Sequence, residues 1–304
     1  MSDAQALFRD ELLRHGLLLS MGVDGLLGRS GTFERIVEGI DRCATRLGAG
    51  DGAEVLRFPP AMSRRTLEES EYMKSFPQLA GTVHAFAGTS DREHAELLAL
   101  LEQKGDWTVH QKTTELILTP AACYPVYPVI AARGPLEAEG ALLDVCSYCF
   151  RHEPSVDPAR MQLFRMREYV RIGSPEQVQT FRETWITRAR QLVTNLGLPV
   201  KVEVANDPFF GRAGRMLATN QREQTLKFEL LIPITSEEHP TACLSFNYHK
   251  DKFATNWNLR QASGELAHTG CVGFGLERIA LALIKHHGFD PSAWPIAVRD
   301  ELGC

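Results

Sequence analysis

Apolar positions Leu7, Phe8, Leu12, Leu13, Leu17 and Leu18 recur at helical spacing, which predicts an amphipathic helix over residues 3–19 ending at a glycine-rich turn, residues 21–25. Thr32 is the expected N-cap of a second helix carrying Phe33, Ile36, Val37, Ile40 and Leu47, stopped by the glycines of residues 48–52. Residues 53–58 read as a strand running into Pro59 and Pro60, and residues 62–77 as helix plus loop. Residues 79–87 and 114–119 alternate as strands, with Cys123 just past the second. Between them residues 91–104 form a helix with Leu97, Leu98 and Leu101 on one side. Residues 175–196 carry a long stripe through Val178, Phe181, Trp185, Ala189, Leu192 and Leu196. Strands follow at 200–205, 226–233 and 242–249, around a basic, helix-permissive run at 211–224 with Arg212, Arg215 and Arg222. The strands do not alternate regularly with helices, so the expected class is α+β around an antiparallel sheet, in one domain over residues 1–304.

The most informative stretch is residues 144–173. An apolar run ends in Phe150-Arg151-His152-Glu153, a Pro-containing polar loop follows, and Arg160 to Phe164 opens a second, arginine-rich run. This reads as a charged hairpin. Side chains two apart on a strand share a face, so Arg151 and Glu153 are expected to point one way, as are Phe164, Met166 and Glu168 on the return strand. Phe164 and Glu168 would then stand roughly 13 Å apart, the length of a nucleotide plus a small acyl group. Near the C-terminus, Gly273-Phe-Gly275-Leu-Glu-Arg278 takes a strand end into an apolar-faced helix. The glycines permit close backbone approach to a ligand, and Arg278 falls in the first helical turn.

Composition narrows the function classes. The chain of 304 residues is 44% hydrophobic, ample for a large core, and its net charge of -5 with a pI near 6.1 gives no global attraction to nucleic acid. No window approaches the roughly 18 consecutive apolar residues of a membrane span, and the first 20 residues lack a secretory signal, so a cytoplasmic protein without membrane contact is expected. Seven cysteines, an odd number spread over the chain, argue against a disulfide framework. Cys146 and Cys149 would point to opposite faces of one strand and are expected to be core residues.

The order Phe-Arg-x-Glu, loop, Arg-x-x-x-Phe resembles motif 2 of the class II aminoacyl-tRNA synthetases, and Gly-x-Gly-x-x-Arg resembles their motif 3. The helix and strand over residues 32–60 resemble motif 1, which forms the dimer interface in that family. The resemblance implies a class II catalytic core, an antiparallel β-sheet flanked by helices, and a homodimer. With only about 30 residues before motif 1 and about 26 after Arg278, no separate tRNA-binding domain is expected. Over essentially the whole chain, including Phe58-Pro59-Pro60 and residues 72–81, the sequence resembles the amino acid:[carrier protein] ligases, homologues of the atypical zinc-dependent seryl-tRNA synthetases of methanogens.

That resemblance implies ATP-dependent activation of a small amino acid, glycine or alanine, and transfer to the phosphopantetheine thiol of a carrier protein. By it, Arg151 would bind the α-phosphate and the substrate carboxylate, Glu153 the adenine amino group, Arg160 and Arg278 the outer phosphates, and Phe164 would stack on adenine. Cys123, Glu168 and Cys271 would hold a catalytic zinc that receives the amino group. Magnesium would bridge the phosphates; its expected carboxylate position falls at Thr241, with Glu237 and Glu238 just before it. The basic run at 211–224 is a candidate surface for an acidic carrier protein. A seryl-type synthetase that charges tRNA and a non-catalytic paralogue are the alternatives.

Overall fold

The computed structural model describes residues 3–303 apart from the side chains of Arg212 and Ala213; Arg212 of the basic run and Cys304 therefore lie outside the described residues. Helix α1 (Asp3–Arg14) leads into a hairpin, β1 (Leu18–Val23) and β2 (Leu26–Arg29), then α2 (Gly31–Gly48) and β3 (Glu54–Arg57). An arm follows: β4 (Ala61–Ser63), α3 (Arg64–Glu69), α4 (Tyr72–Ser75), β5 (Thr82–Phe86), α5 (Asp91–Glu102) and β6 (Gln111–Leu118). Short α6 (Val126–Ala131) precedes the central hairpin β7 (Ala141–Phe150) and β8 (Leu163–Gly173), and then α7 (Pro175–Asn195). The remainder is β9 (Lys201–Val204), α8 (Gly211–Glu223), β10 (Lys227–Ile232), β11 (Thr241–Lys250), α9 (Lys252–Trp257), β12 (His268–Gly275), α10 (Leu276–His287) and α11 (Ile296–Leu302).

Seven strands form one sheet in the order β3-β7-β8-β12-β11-β10-β9, antiparallel throughout except that β3 runs parallel to β7. The α+β expectation therefore holds. Helices α2, α7 and α10 bury their apolar stripes against one face, where Phe33, Ile36, Ile40, Trp185, Phe274 and Ile279 meet. Ser30, rather than Thr32, caps α2 by accepting the Phe33 N–H, and Ser174 with Gln177 forms a capping box on α7 behind Pro175. The opposite face carries a second core around Tyr127, Phe253 and Val145 under α6 and α9. Its centre, where β8, β12 and β11 lie side by side, is left open as a cleft.

Two local expectations change. The first helix stops at Arg14 because Gly16 takes a φ of +65°, and Leu17 and Leu18 belong to the core entry of a β-hairpin instead. The leucine side of α5 is not buried: Leu98 and Leu101 are exposed, because the arm projects from the sheet and offers that helix no core. No helix of the described residues is long and apolar enough to cross a membrane.

One buried ion pair fixes the central hairpin on α2. Arg167 on β8 donates through Nε to Asp144 on β7 at 3.1 Å and through Nη1 to Asp41 on α2 at 2.9 Å, with Arg167 and Asp144 both under 5% exposed. Arg167→Met should lower unfolding stability by about 3 kcal/mol, because it leaves Asp144 in the sheet with half-exposed Arg57 at 3.5 Å as its remaining cation. Urea unfolding measures this, and a loss below about 1 kcal/mol would show that Arg57 replaces it.

Candidate active site

Strand β7 ends at Phe150, and Arg151 makes one further sheet-like bond, its N–H to the Gln162 carbonyl at 2.9 Å. Arg151 and Glu153 therefore lie in the loop after the strand and do not share a strand face as the alternation predicts. The loop nevertheless aims both at the cleft. Arg151 donates through Nε to the Pro120 carbonyl at 3.2 Å and lies 5.5 Å from the centre of the Phe164 ring, a cation–π contact. That leaves its two terminal nitrogens for a ligand in the cleft. Arg160 is half-exposed and does not line the cleft; it reaches Glu153 at 3.2 Å.

Arg278 enters the cleft from the first turn of α10. Its Nε donates to the Ala159 carbonyl and its Nη1 to the Ala242 carbonyl, both at 2.8 Å, so it joins the hairpin loop to β11. Burial pulls its pKa down, but a guanidinium stays charged. Beside it, Glu277 accepts from the Arg165 backbone N–H at 2.8 Å and from Arg165 Nε at 2.9 Å. The cavity within the cleft measures about 210 Å³.

At its inner end Cys123, Glu168 and Cys271 come together, with ligand atoms all within 4.8 Å of one another. Cys123 sits in the turn after β6, while Glu168 is paired with Gly273 across the β8–β12 ladder, which sets Cys271 diagonally beside it on the same face. Burial pushes Glu168 up to about 8, and the neighbouring Cys271 sulfur adds to that. Cys271 is pulled well below the ordinary thiol value, first by its bond with Cys123 and then by His249 and Asn247, while Cys123 moves up. Glu168 Oε2 is buried without a hydrogen-bond partner. Two sulfurs and an orphaned carboxylate oxygen make a donor set that fits zinc, with one position left for a substrate group.

The strand face completes the cleft with residues that motif reading misses. Ser245, Asn247 and His249 on β11 line it, and their period-two spacing is the signal that could have found them. Asn247 Nδ2 lies 3.3 Å and His249 Nε2 3.8 Å from Cys271 Sγ. Lys227 and Glu229 on β10 and Asp207 in the loop before α8 also face in. Glu237, Glu238 and Thr241 do not line the cleft, whose carboxylates are Glu153, Glu168, Asp207, Glu229 and Glu277. The reason is that Glu237 and Glu238 precede β11 in an exposed loop. Cys149 is a core residue as expected, but Cys146 is half-buried beside Arg57 and Arg167; both are free thiols.

The class II tRNA synthetase core domain (G, H, P, S and T) matches residues 107–287. The amino acid–[acyl-carrier-protein] ligases 1 and 2 of Bradyrhizobium diazoefficiens are 52% and 49% identical, over 94% and 96% of this chain and 87% and 86% of theirs. The type-2 serine–tRNA ligase of Methanopyrus kandleri is 30% identical over 61% of this chain and 37% of its own. Among solved structures, M. kandleri seryl-tRNA synthetase, in complex with a tRNA from A. aeolicus, superposes with a TM-score of 0.82 at 21% identity, covering 97% of this chain and 60% of that one.

Proposed function

The chain belongs to the amino acid–[acyl-carrier-protein] ligase family, built on the class II synthetase core, and from that premise we propose that it activates glycine or alanine with ATP and passes the aminoacyl group to the phosphopantetheine thiol of a carrier protein. One observation carries the reading: a single cleft joins the Arg151, Phe164 and Arg278 platform to the buried Cys123, Glu168 and Cys271 set.

In the first step a carboxylate oxygen of the amino acid attacks the α-phosphorus of ATP, and the bond from that phosphorus to the β-phosphate oxygen breaks to release pyrophosphate. Catalysis is mainly positioning and charge neutralisation. Arg151 holds the α-phosphate and the attacking carboxylate, Phe164 stacks under adenine, Glu153 accepts from its amino group, and Arg278 steadies the outer phosphates, while Arg160, outside the cleft lining, supports Glu153. Magnesium, which the class II core implies, would be held through the phosphates and the carboxylates near Arg278. A zinc held by Cys123, Glu168 and Cys271 would supply the Lewis acid that fixes the substrate amino group. In the second step the carrier thiol, as thiolate, attacks the carbonyl carbon and AMP leaves.

Tyr124, Met166 and His249 crowd the Cys/Glu/Cys set, which supports a small side chain. Discrimination of one methyl is worth about 1–3 kcal/mol, so glycine and alanine are separable only by steric fit. Helix α8 offers the carrier a surface of Arg215, Arg222 and exposed Met216 and Leu217. A homodimer in the cytoplasm completes the proposal.

The expected result is pyrophosphate exchange into ATP that depends on glycine or alanine, followed by label transfer from the amino acid to a holo carrier protein and not to bulk tRNA. Labelled tRNA with unlabelled carrier would overturn the reading. Absence of exchange with every small amino acid would favour a non-catalytic paralogue.

A further inference from the structure

Helix α8 is held to the protein in an unusual way. Its inward positions, spaced by four and three, are Gly214, Ala218 and Gln221, whereas Met216 and Leu217 are exposed, so no large apolar side chain on this stripe anchors it. At its start, Gly214 lies flat on Phe209, where a Cβ would come within 2.8 Å of the Phe209 carbonyl carbon. At its end, the Gln221 carboxamide grips Asp207 twice. Oε1 accepts from the Asp207 backbone N–H at 2.7 Å, and Nε2 donates to Asp207 Oδ2 at 2.8 Å.

The other Asp207 oxygen is bonded to Lys227 Nζ at 2.5 Å, and Lys227 is 3.0 Å from Glu229. Lys227 is 7% exposed, and it lines the cleft with Arg151 and Arg278. The ammonium is thus shared between two carboxylates, and only Asp207 is locked from behind by an amide.

We propose that Gln221 is a positioning residue: through Asp207 it fixes the Lys227 ammonium toward the polyphosphate of ATP, so the seating of α8 sets the affinity of the cleft for nucleotide. This rests on the reading of the cleft as an ATP site. With the amide gone, Asp207 can turn, Lys227 swings to Glu229, and a cation is withdrawn from the phosphate path. One of the two bonds lost is to the Asp207 carboxylate, and a hydrogen bond to a charged group is worth about tenfold in an equilibrium.

Amino-acid-dependent pyrophosphate exchange, run on the zinc-loaded full chain, tests it. Gln221→Leu should raise the KM for ATP about tenfold, leaving kcat and the KM for the amino acid within about twofold. In a Lys227→Met background the same substitution should change nothing further, because the group it acts through is absent. An unchanged KM for ATP, a loss in kcat instead, or an effect that multiplies fully with Lys227→Met would each overturn the clamp. If Gln221→Leu fails to fold, Gln221→Glu keeps the side-chain length but lacks the donor; it should show the same rise, and a wild-type KM would overturn the proposal. No exchange by the unsubstituted protein would overturn the activity reading and the clamp's role with it, whereas an active protein with a wild-type KM after substitution overturns the clamp alone.

Discussion

Cys271→Ala is expected to lose zinc and amino-acid activation together, with exchange down by more than about a hundredfold, since even the partners that merely orient metal ligands are worth 10- to 100-fold. Cys271 stands within 4.8 Å of both Cys123 and Glu168, and its sulfur is already biased toward thiolate by Cys123, His249 and Asn247. Removing it leaves two ligands. Glu168 adds a pH signature. With its pKa pushed up to about 8 by burial, the free protein carries a proton there at neutral pH, and metal binding must expel it. Zinc affinity should therefore weaken as pH falls below about 8, and it should go on rising above 8 because the Cys123 thiol, itself pushed up, must also lose its proton. Metal analysis of the purified variant decides the matter. One zinc per chain retained by Cys271→Ala would show the ligand set to be wrong, and Cys146→Ala, outside the cleft, should keep both zinc and exchange.

How much of this was readable in the sequence depends on the range of the interaction. Stripes on α2, α7 and α10 are local periodicities, and the helices bury the residues that the spacing marks. Helix α6 has only six residues, of which Val126, Tyr127 and Ile130 are buried, and it is too short and too evenly apolar to show a stripe. In α5 the stripe exists but nothing covers it among the described residues, so pattern and burial part company. The hairpin loop defeats the alternation rule for a different reason: Arg151 and Glu153 reach the cleft by leaving the strand.

The Cys123, Glu168 and Cys271 set is the extreme case. Its members are separated by 45 and 103 positions, and only the register that pairs Glu168 with Gly273 makes Cys271 a neighbour. Resemblance to a family supplied those three residues; spacing would have chosen Cys146 and Cys149. Lys227 and Asp207 carried no signal at all, because their pairing comes from the loop before α8 meeting β10, 20 positions along the chain.

Arg151→Lys is expected to lower exchange by about 10²–10³-fold while leaving the fold intact, the cost typical of removing one preorganised donor at a site of developing charge. Lysine keeps the charge, so a small effect would follow if charge alone mattered. It does not keep the geometry. Arg151 spends Nε on the Pro120 carbonyl and lies 5.5 Å from the centre of the Phe164 ring, which leaves both terminal nitrogens for the proposed contacts with the α-phosphate and the attacking carboxylate. An ammonium at the end of a flexible stem can satisfy the carbonyl or the phosphate, and it lacks the planar face that stacks on the ring. The loss should fall on kcat more than on the KM for the amino acid, because the bridged arrangement is complete only as the new bond forms. Steady-state exchange kinetics with a matched thermal melt separates the outcomes. Retention of exchange within tenfold would mean that Arg151 acts as a point charge, and the task of aligning carboxylate and α-phosphate would then pass to the opposite wall, where Arg278 is pinned by two carbonyls in a position it cannot leave without breaking the joint between the hairpin loop and β11.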